Sequence, residues 1–517
     1  DEDKNKNSIE TYMTNIAKYG EGKYTPATSK DEIIKSFQDS VAVLLEEPVT
    51  FVAPSVAANS YNSLEHLDQL YYAMFVPSAD NNWQGNLKSY RLSPDGLVVD
   101  ADGNEAIDKN SGLFKDSSRS YWTAKDTVDG DKVILGGAAA NLTKNKNIFT
   151  HLSNTKGPLT QTLSTSSISK ARLGLTERAS TTEHSALIDW MNRKEGANGS
   201  RQQMEDPLHS RPIVVNYGYS QDPVTKNLIS DSVIFVGTNS GYLHAFKADK
   251  DNFEELFSYI PKELLSNANL YRTKDVDQSK VYGVDGPINY WHVDANQDLQ
   301  VDTGEKVYLF FGLRRGGRHY YALDITDKSA PKFQWQISGG QGGDFDKMGQ
   351  SWSQMKLAKV RWGDSGKTKV VLLVGGGYDT AEDNRDSREV SNVGNAIYMI
   401  DPETGGLLWS ASNTGADTNL TNMTSSITSD IKTIDFDGDQ ITDYFFVSDL
   451  GGRVWRFDIN PNKEKINEAN FINSAGMIFD ANKDSSKYQR FYDAPSISYF
   501  SNPKTKEKFL TISIGSG

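Results

Sequence analysis

From residue 213 to the end, the chain alternates short apolar runs with glycine-rich turns, and one order keeps returning: apolar run, turn, aromatic-bearing strand. It appears as VIFVGTNSGYLHAF (233–246), VYLFFGLRRGGRHYYALDI (307–325), VVLLVGGGYD with NAIYMIDPETGGLLWS (370–410), YFFVSDLGGRVWRFDI (444–459) and FLTISIGSG (509–517). Apolar runs this short, closed by Gly, Asn or Asp, read as strands joined by tight turns. The turns fall near Gly237, Gly312, Gly375, Leu450 and Gly515, roughly 60 to 75 residues apart. Propeller blades repeat every 40 to 50 residues or so, so this spacing predicts blades that carry long insertions. Each such unit buries its apolar face only against its neighbours, and closure of the ring is expected to set stability.

Upstream the pattern differs. Residues 9–46 hold a helical signal: TSKDEIIKSFQDSVAVLLEE places Ile33, Ile34, Phe37, Val41 and Leu44 near a 3.6-residue period, after Ser29 as a capping residue. From 47 onward, β-type runs such as PVTFVAPSVA, LYYAMFVP and NLKSYRL take over, which sets a boundary between 1–46 and 47–517. Residues 141–210 are poorer in strands, with a Ser/Thr-rich tract and a short amphipathic helix expected around Ala186–Arg193; this segment reads as an insertion or flap.

The strand pattern leaves DFDGDQITD at 435–443 as a polar loop with acidic residues on alternate positions. Calcium takes six to eight oxygen ligands, and EF-hand-like loops supply them from positions 1, 3, 5, 7 (main-chain carbonyl) and 9. Here those are Asp435, Asp437, Asp439, Ile441 through its carbonyl, and Asp443, with Gly438 at the tight turn and Phe446 in place of the bidentate Glu at position 12. The flanking alternation predicts that this loop joins strands rather than helices. HVDANQDLQVDTGE carries a second copy, Asp294, Asn296, Asp298, the Gln300 carbonyl, Asp302 and Glu305, although Leu299 stands where EF-hands place glycine. A poorer third version is Asp100, Asp102, Asn104 and Asp108. Ordinary turn chemistry of Asp, Asn and Gly competes with the metal reading at all three places, most strongly at the third.

Composition narrows the partners. The chain has 517 residues, a formal net charge of −13 and no cysteine. Phosphate contacts need clustered Lys and Arg, so the charge argues against a nucleic-acid surface. Lack of cysteine removes disulfides, thiol catalysis and thiolate metal sites. No apolar run is long enough to span a bilayer, and the start, DEDKNKN, lacks the basic and apolar parts of a signal peptide. The strand-like ending ISIGSG favours a fragment of a longer chain.

DPLHSRPIVVNYG (206–218), VIFVGTNSGYLHAF, YIPKELL, VDGP (284–287), GGRHYYALDITD (316–327) and the run from DFDGDQITD to WRFDI together resemble the PilY/PilC family of type IV pilus-associated proteins, over about residues 60 to 517. LYYAMFVPSADNNWQGNLKSYRL is similar to the opening strands of that family's C-terminal domain, and residues 24–47 to the close of its preceding von Willebrand A-like domain. The resemblance implies an all-β fold, a modified, quinoprotein-like β-propeller of seven blades with insertions, after a short N-terminal helical remnant. It implies a calcium cofactor on Asp435, Asp437, Asp439, Ile441 and Asp443, location at the bacterial surface and pilus tip, and roles in pilus biogenesis, twitching motility and adhesion. The implied partners are minor pilins at the tip and a host or abiotic surface. An Arg-Gly-Asp motif found in some members is missing; Arg361-Trp362-Gly363-Asp364 is a near miss.

Other signals are weaker. Asp116-Ser117-Ser118-Arg119-Ser120 fits the D-x-S-x-S metal pattern but not its structural context. The seven histidines, including His209, His244 and His319, lack metal-ligand spacing, and His244 reads as a packed strand residue. Arg314, Arg315 and Arg318 form a local basic spot suited to a carboxylate or to solvent. The alternatives to a binding protein of the pilus are a lectin-like propeller, on its Trp and Tyr content, and a quinone-dependent dehydrogenase, on fold analogy alone.

Overall fold

The computed structural model describes residues 11–14, 51–59, 62–79, 82–142, 147–194, 204–221, 223, 228–249, 252–273, 279–462, 464–483, 488–502, 504–505 and 508–517. The chain divides after Thr50 into two units, Asp1–Thr50 and Phe51–Gly517. The helix expected over 29–46 lies outside the described residues. Among the described residues, the sheets belong to the second unit.

Successive sheets are antiparallel meanders, as the repeated hairpin pattern predicts. The first pairs Phe51–Asn59, Asn62–Val76, Gln84–Leu92 and Val98–Val99 in order. The second runs through Ile213–Gln221, Leu228–Gly237, Leu243–Lys247 and Glu255–Ile260, then adds Ile148–Thr150 and Gln161–Thr162. The third comprises Ile288–Val293, Lys306–Gly312, His319–Asp324, Lys332–Ser338 and the short Gly157–Pro158. The fourth runs Lys356–Arg361, Thr368–Gly375, Ala396–Ile400, Leu407–Ser412 and Thr418–Asn419. Lys432–Ile434, Tyr444–Ser448, Arg453–Ile459 and Ile472–Asp480 make the fifth, and Ser496–Ser501 with Lys508–Ser513 the sixth. Seven blades were expected; the described residues hold six sheets.

Segment 141–210 supplies strands to two sheets. Ile148–Thr150 pairs in parallel with Ser258–Ile260, and Gly157–Pro158 pairs with Lys332–Phe333. Its helix, Thr181–Met191, begins in a capping box formed by Ser180 and Glu183 and buries Leu187, Ile188 and Met191 in the same apolar cluster as the second and third sheets. The 3.6-residue spacing of those three side chains makes that face continuous.

One contact recurs between neighbouring sheets. The second strand of a sheet ends on a small residue that meets the segment leading into the next sheet. A Cβ added to Gly237 falls 2.2 Å from the Val284 carbonyl oxygen; at Gly312 it falls 2.8 Å from that of Ser351, and at Gly375 2.7 Å from that of Ile427. At the fourth such place Ser448 instead donates its hydroxyl to the Asp493 carbonyl at 2.6 Å. Serines repeat beside these positions: Ser210, Ser353 and Ser429 accept from the backbone N–H of Gly237, Gly375 and Ser448 at 2.8, 3.0 and 3.1 Å. The glycines of the repeat thus allow backbone of one sheet to approach backbone of the next. The apolar clusters continue the theme, with one shared by the second and third sheets, another by the third and fourth, and another by the fourth and fifth.

Candidate metal centre

Residues 435–443 connect the first two strands of the fifth sheet, Lys432–Ile434 and Tyr444–Ser448, as the flanking alternation predicted. The loop is wound by its own carboxylates. Asp435 accepts from the N–H groups of Gly438 and Gln440 at 2.7 and 2.8 Å, Asp437 from that of Asp439 at 3.2 Å, and Asp439 from that of Ile441 at 2.8 Å. Asp443 reaches back across the loop to the N–H of Phe436 at 2.7 Å. Winding this tight places Gly438 at φ 82° and Gln440 at φ 66°, both left-handed. Asp443 also fastens the loop to the sheet: its N–H donates to Ile434 and its carbonyl accepts from Ile459. The N–H of Thr442 docks on the Lys359 carbonyl of the fourth sheet at 2.8 Å.

This path brings one carboxylate oxygen each from Asp435, Asp437 and Asp443 within 4.8 Å of one another. The Asp439 carboxylate is held by Arg361 of the fourth sheet at 2.9 Å, so the expected fifth position is shared with a cation. The arginine of the near-miss tetrapeptide is thereby engaged with a residue of its own chain. Ile441 is half-buried at the end of the loop. The donor set is all oxygen, anionic and solvent-accessible, which fits a hard cation such as calcium and not a soft metal. Phe436 stands edge-on to Tyr444 and to Tyr499 of the sixth sheet, with ring centroids 6.0 and 5.8 Å apart, beside a cavity of about 550 Å³.

The loop at 294–305 repeats this construction between Ile288–Val293 and Lys306–Gly312. Asp294 accepts from the N–H groups of Gln297 and Leu299, Asn296 from that of Asp298, and Asp298 from that of Gln300, the same offsets as in the other loop. Gln297 and Leu299 are left-handed, at φ 60° and 64°. Leu299 therefore adopts the conformation that EF-hands assign to glycine, as Gln440 does at the matching position. The N–H of Val301, like that of Thr442, docks on the preceding sheet, here at the Tyr217 carbonyl. Two features differ. Glu305 accepts the N–H of Ala295 at 2.8 Å, in the role that Asp443 plays for Phe436, and also bonds the Asp302 N–H and His292. Those two backbone donors hold its carboxyl below the ordinary carboxylate range. The Asn296 amide donates to both Asp298 and Asp302, drawing them round an N–H group. Among the described residues, a cluster of three metal-ligating side chains forms only at Asp435, Asp437 and Asp443.

At 100–108 turn chemistry accounts for the acids. Asp100 accepts from Asp102 and Asn104 N–H groups, Arg119 clamps Asp102 through two nitrogens at 2.9 and 2.6 Å, and Asp108 caps the turn at Asn110 and Ser111. In the neighbouring D-x-S-x-S stretch, Ser120 bonds the buried Asp129. His244 is buried against Glu255 and Ser258 at 2.9 and 3.1 Å, a packed, hydrogen-bonded histidine. Of the basic spot, Arg314 and Arg315 lie over the Trp352 ring at 4.0 and 5.2 Å, and Arg315 also pairs with Asp383. Among the described residues no helix is long and apolar enough to cross a membrane.

The chain is similar to known proteins over most of its length. A family model described as the PilY1 beta-propeller domain matches residues 190–509. The chain is 23% identical over 466 residues to the type IV pilus biogenesis factor PilY1 of Pseudomonas aeruginosa (strain PAK), covering 86% of this chain and 35% of that protein. It is 22% identical over 502 residues to a PilY1 homolog of Xylella fastidiosa (strain Temecula1 / ATCC 700964), covering 86% and 31%. The crystal structure of the Pseudomonas aeruginosa PilY1 C-terminal domain aligns with a TM-score of 0.38 at 23% identity, over 55% of this chain and 52% of that one. The chain spans about a third of the length of these curated relatives. With more than half of its residues matched by that family model, the chain belongs to the PilY1 β-propeller domain family.

Proposed function

We propose that residues 435–443 bind calcium and that the chain is the calcium-binding propeller of a type IV pilus biogenesis factor, acting at the bacterial surface by binding rather than by catalysis. The observation that carries the metal reading is the convergence of Asp435, Asp437 and Asp443. The relatives' name, type IV pilus biogenesis factor, carries the pilus reading. When bound, calcium neutralises carboxylates that otherwise repel one another. The residues then transmit the change: Thr442 ties the loop to the fourth sheet, Asp443 to the fifth, and Phe436 leans on the sixth. Loop closure would thereby set a surface offered to minor pilins at the tip or to a host or abiotic surface, and bias pili between extension and retraction. Residues 294–305, built on the same plan, are a second candidate calcium site of this reading.

Calorimetric titration of chelator-stripped protein is the direct test. Asp443→Ala is expected to abolish the principal calcium transition, and Asp302→Ala to remove a second, separate one. Absence of calcium binding at millimolar concentration would refute the metal reading. A strain carrying Asp443→Ala that extends and retracts pili normally at every calcium level would refute the regulatory one.

A further inference from the structure

Five sheets share a cavity that neither loop touches. Its volume is about 620 Å³, and its wall comes from the segments leading into the first strands of the second to sixth sheets. What lines it is unusual for such a meeting point. Arg314 lies over Trp352, 4.0 Å from the ring centroid, and its buried Nε has no hydrogen-bond partner. Arg211 also faces the cavity. Among the described residues neither arginine forms an ion pair within 4.0 Å, although Asp430 and Asp493 line the same space. Asp430 is open to the cavity and takes one backbone hydrogen bond, from Gln354 at 2.6 Å. Tyr492 completes an aromatic wall with Trp352, ring centroids 6.3 Å apart.

A guanidinium presents its donors in a plane suited to a carboxylate, and one stacked on an indole is held in orientation by the ring face. Two arginines and two aspartates that line one space without pairing directly could be bridged by a ligand with both an anionic and a donor group. A cavity of this size, with few convergent polar groups and an aromatic wall, has the character of a small-molecule site. We propose that the shared cavity binds a small organic hydroxycarboxylate, its carboxylate taken by Arg314 and Arg211 and its hydroxyl donated to Asp430 or Asp493.

The cavity shares no lining residue with 435–443, and the test keeps the two sites apart by working in the Asp443→Ala background in calcium-free buffer. L-malate, succinate and sodium chloride are titrated into the whole chain by calorimetry. Saturable malate binding is expected, several-fold tighter than succinate, which lacks the hydroxyl, with no response to chloride. Arg314→Gln should weaken malate at least about tenfold, the scale of losing one charge-assisted contact. Because Arg314 also packs on Trp352, Arg211→Gln and Asp493→Asn, both at exposed positions, serve as second variants. Arg211→Gln should weaken both acids, whereas Asp493→Asn should reduce the preference for malate over succinate. Absence of saturable binding at about 10 mM, or malate affinity unchanged in both Arg314→Gln and Arg211→Gln, would overturn the proposal.

Discussion

Arg361 and Asp439 are 78 residues apart in the chain, yet their side chains meet at 2.9 Å. This pair places a fixed positive charge beside a loop proposed to gather a cation, and it occupies one of the five expected ligands. Arg361→Ala would free Asp439 and remove the repulsion. Calcium should then bind about three- to tenfold tighter, as expected for removing a unit charge near the site in a mostly aqueous dielectric. Calorimetry decides, and weaker binding would mean that Arg361 positions Asp439 for the ion. Two other buried residues oppose each other in pH. His151, accepting from the Tyr259 hydroxyl at 2.6 Å, has its pKa lowered from 6.5 to about 4 by burial and by nearby Lys262. Asp449, bonded to Trp455 Nε1, has its pKa raised from 3.8 to about 6 by burial, against the pull of Arg453. Unfolded His151 takes up a proton that the folded protein refuses, so its contribution is full above pH 6.5 and is lost as pH falls toward 4. Asp449 runs the other way, since the folded state holds the proton more tightly and stability falls as pH rises from about 4 to 6. Each term is worth about 3 kcal/mol across its window. Chemical denaturation from pH 4 to 6.5 should therefore show Asp449→Asn gaining on the parent as pH rises, and His151→Gln losing on it.

Elements in this chain carry their own stop and start signals. The helix Thr181–Met191 opens on Ser180, whose hydroxyl accepts the Glu183 N–H at 3.0 Å while Glu183 returns a bond to the Ser180 N–H. Ser180→Ala should cost about 1 kcal/mol by thermal or chemical denaturation. The cost would reach the second and third sheets, because Leu187 and Met191 pack in their cluster. A loss of a few tenths would show that packing alone holds the helix. Both candidate metal loops obey the same logic at the element scale. Their alternating acids satisfy backbone N–H groups at the same offsets whatever residue occupies the left-handed positions, so Leu299 and Gln440 stand where glycine would be least strained.

For the whole molecule, nearest-neighbour seams between sheets matter more than any single sheet. Gly237 sits where a Cβ would lie 2.2 Å from backbone of the segment entering the third sheet. Gly237→Ala must push two sheets apart and should destabilise the protein by about 2 to 3 kcal/mol, the scale of overpacking in a dense interior. Gly363, with nothing within 4 Å of an added Cβ, differs by its φ of 86° and so tests backbone strain instead of packing. If Gly237→Ala melts like the parent, the seam is looser than its geometry implies. Calcium in the 435–443 loop, tied to the fourth and fifth sheets, would add to the stability of these seams by mass action.

The repeat and its strands were legible in the sequence because period-two alternation and Gly-rich turns are local signals; the second and third strands of successive sheets fall on the quoted runs. The 435–443 loop was legible for the same reason, since all its carboxylates lie within nine residues. Within 141–210 the helix was legible and falls at Thr181–Met191, whereas the strands, two or three residues long, were not: they form against the edges of Glu255–Ile260 and Lys332–Ser338 and against one another. The cavity lined by Arg211, Arg314, Trp352, Asp430 and Asp493 was equally hidden, although each residue lies near the segment that enters a sheet or turns between strands. Local pattern determined which stretches became strands, turns and acidic loops. Only packing of sheet against sheet decided that Arg361 holds Asp439, that glycines form the seams, and that Arg211, Arg314, Asp430 and Asp493 from four distant segments face one space, because those contacts depend on sheet order and not on neighbours in sequence.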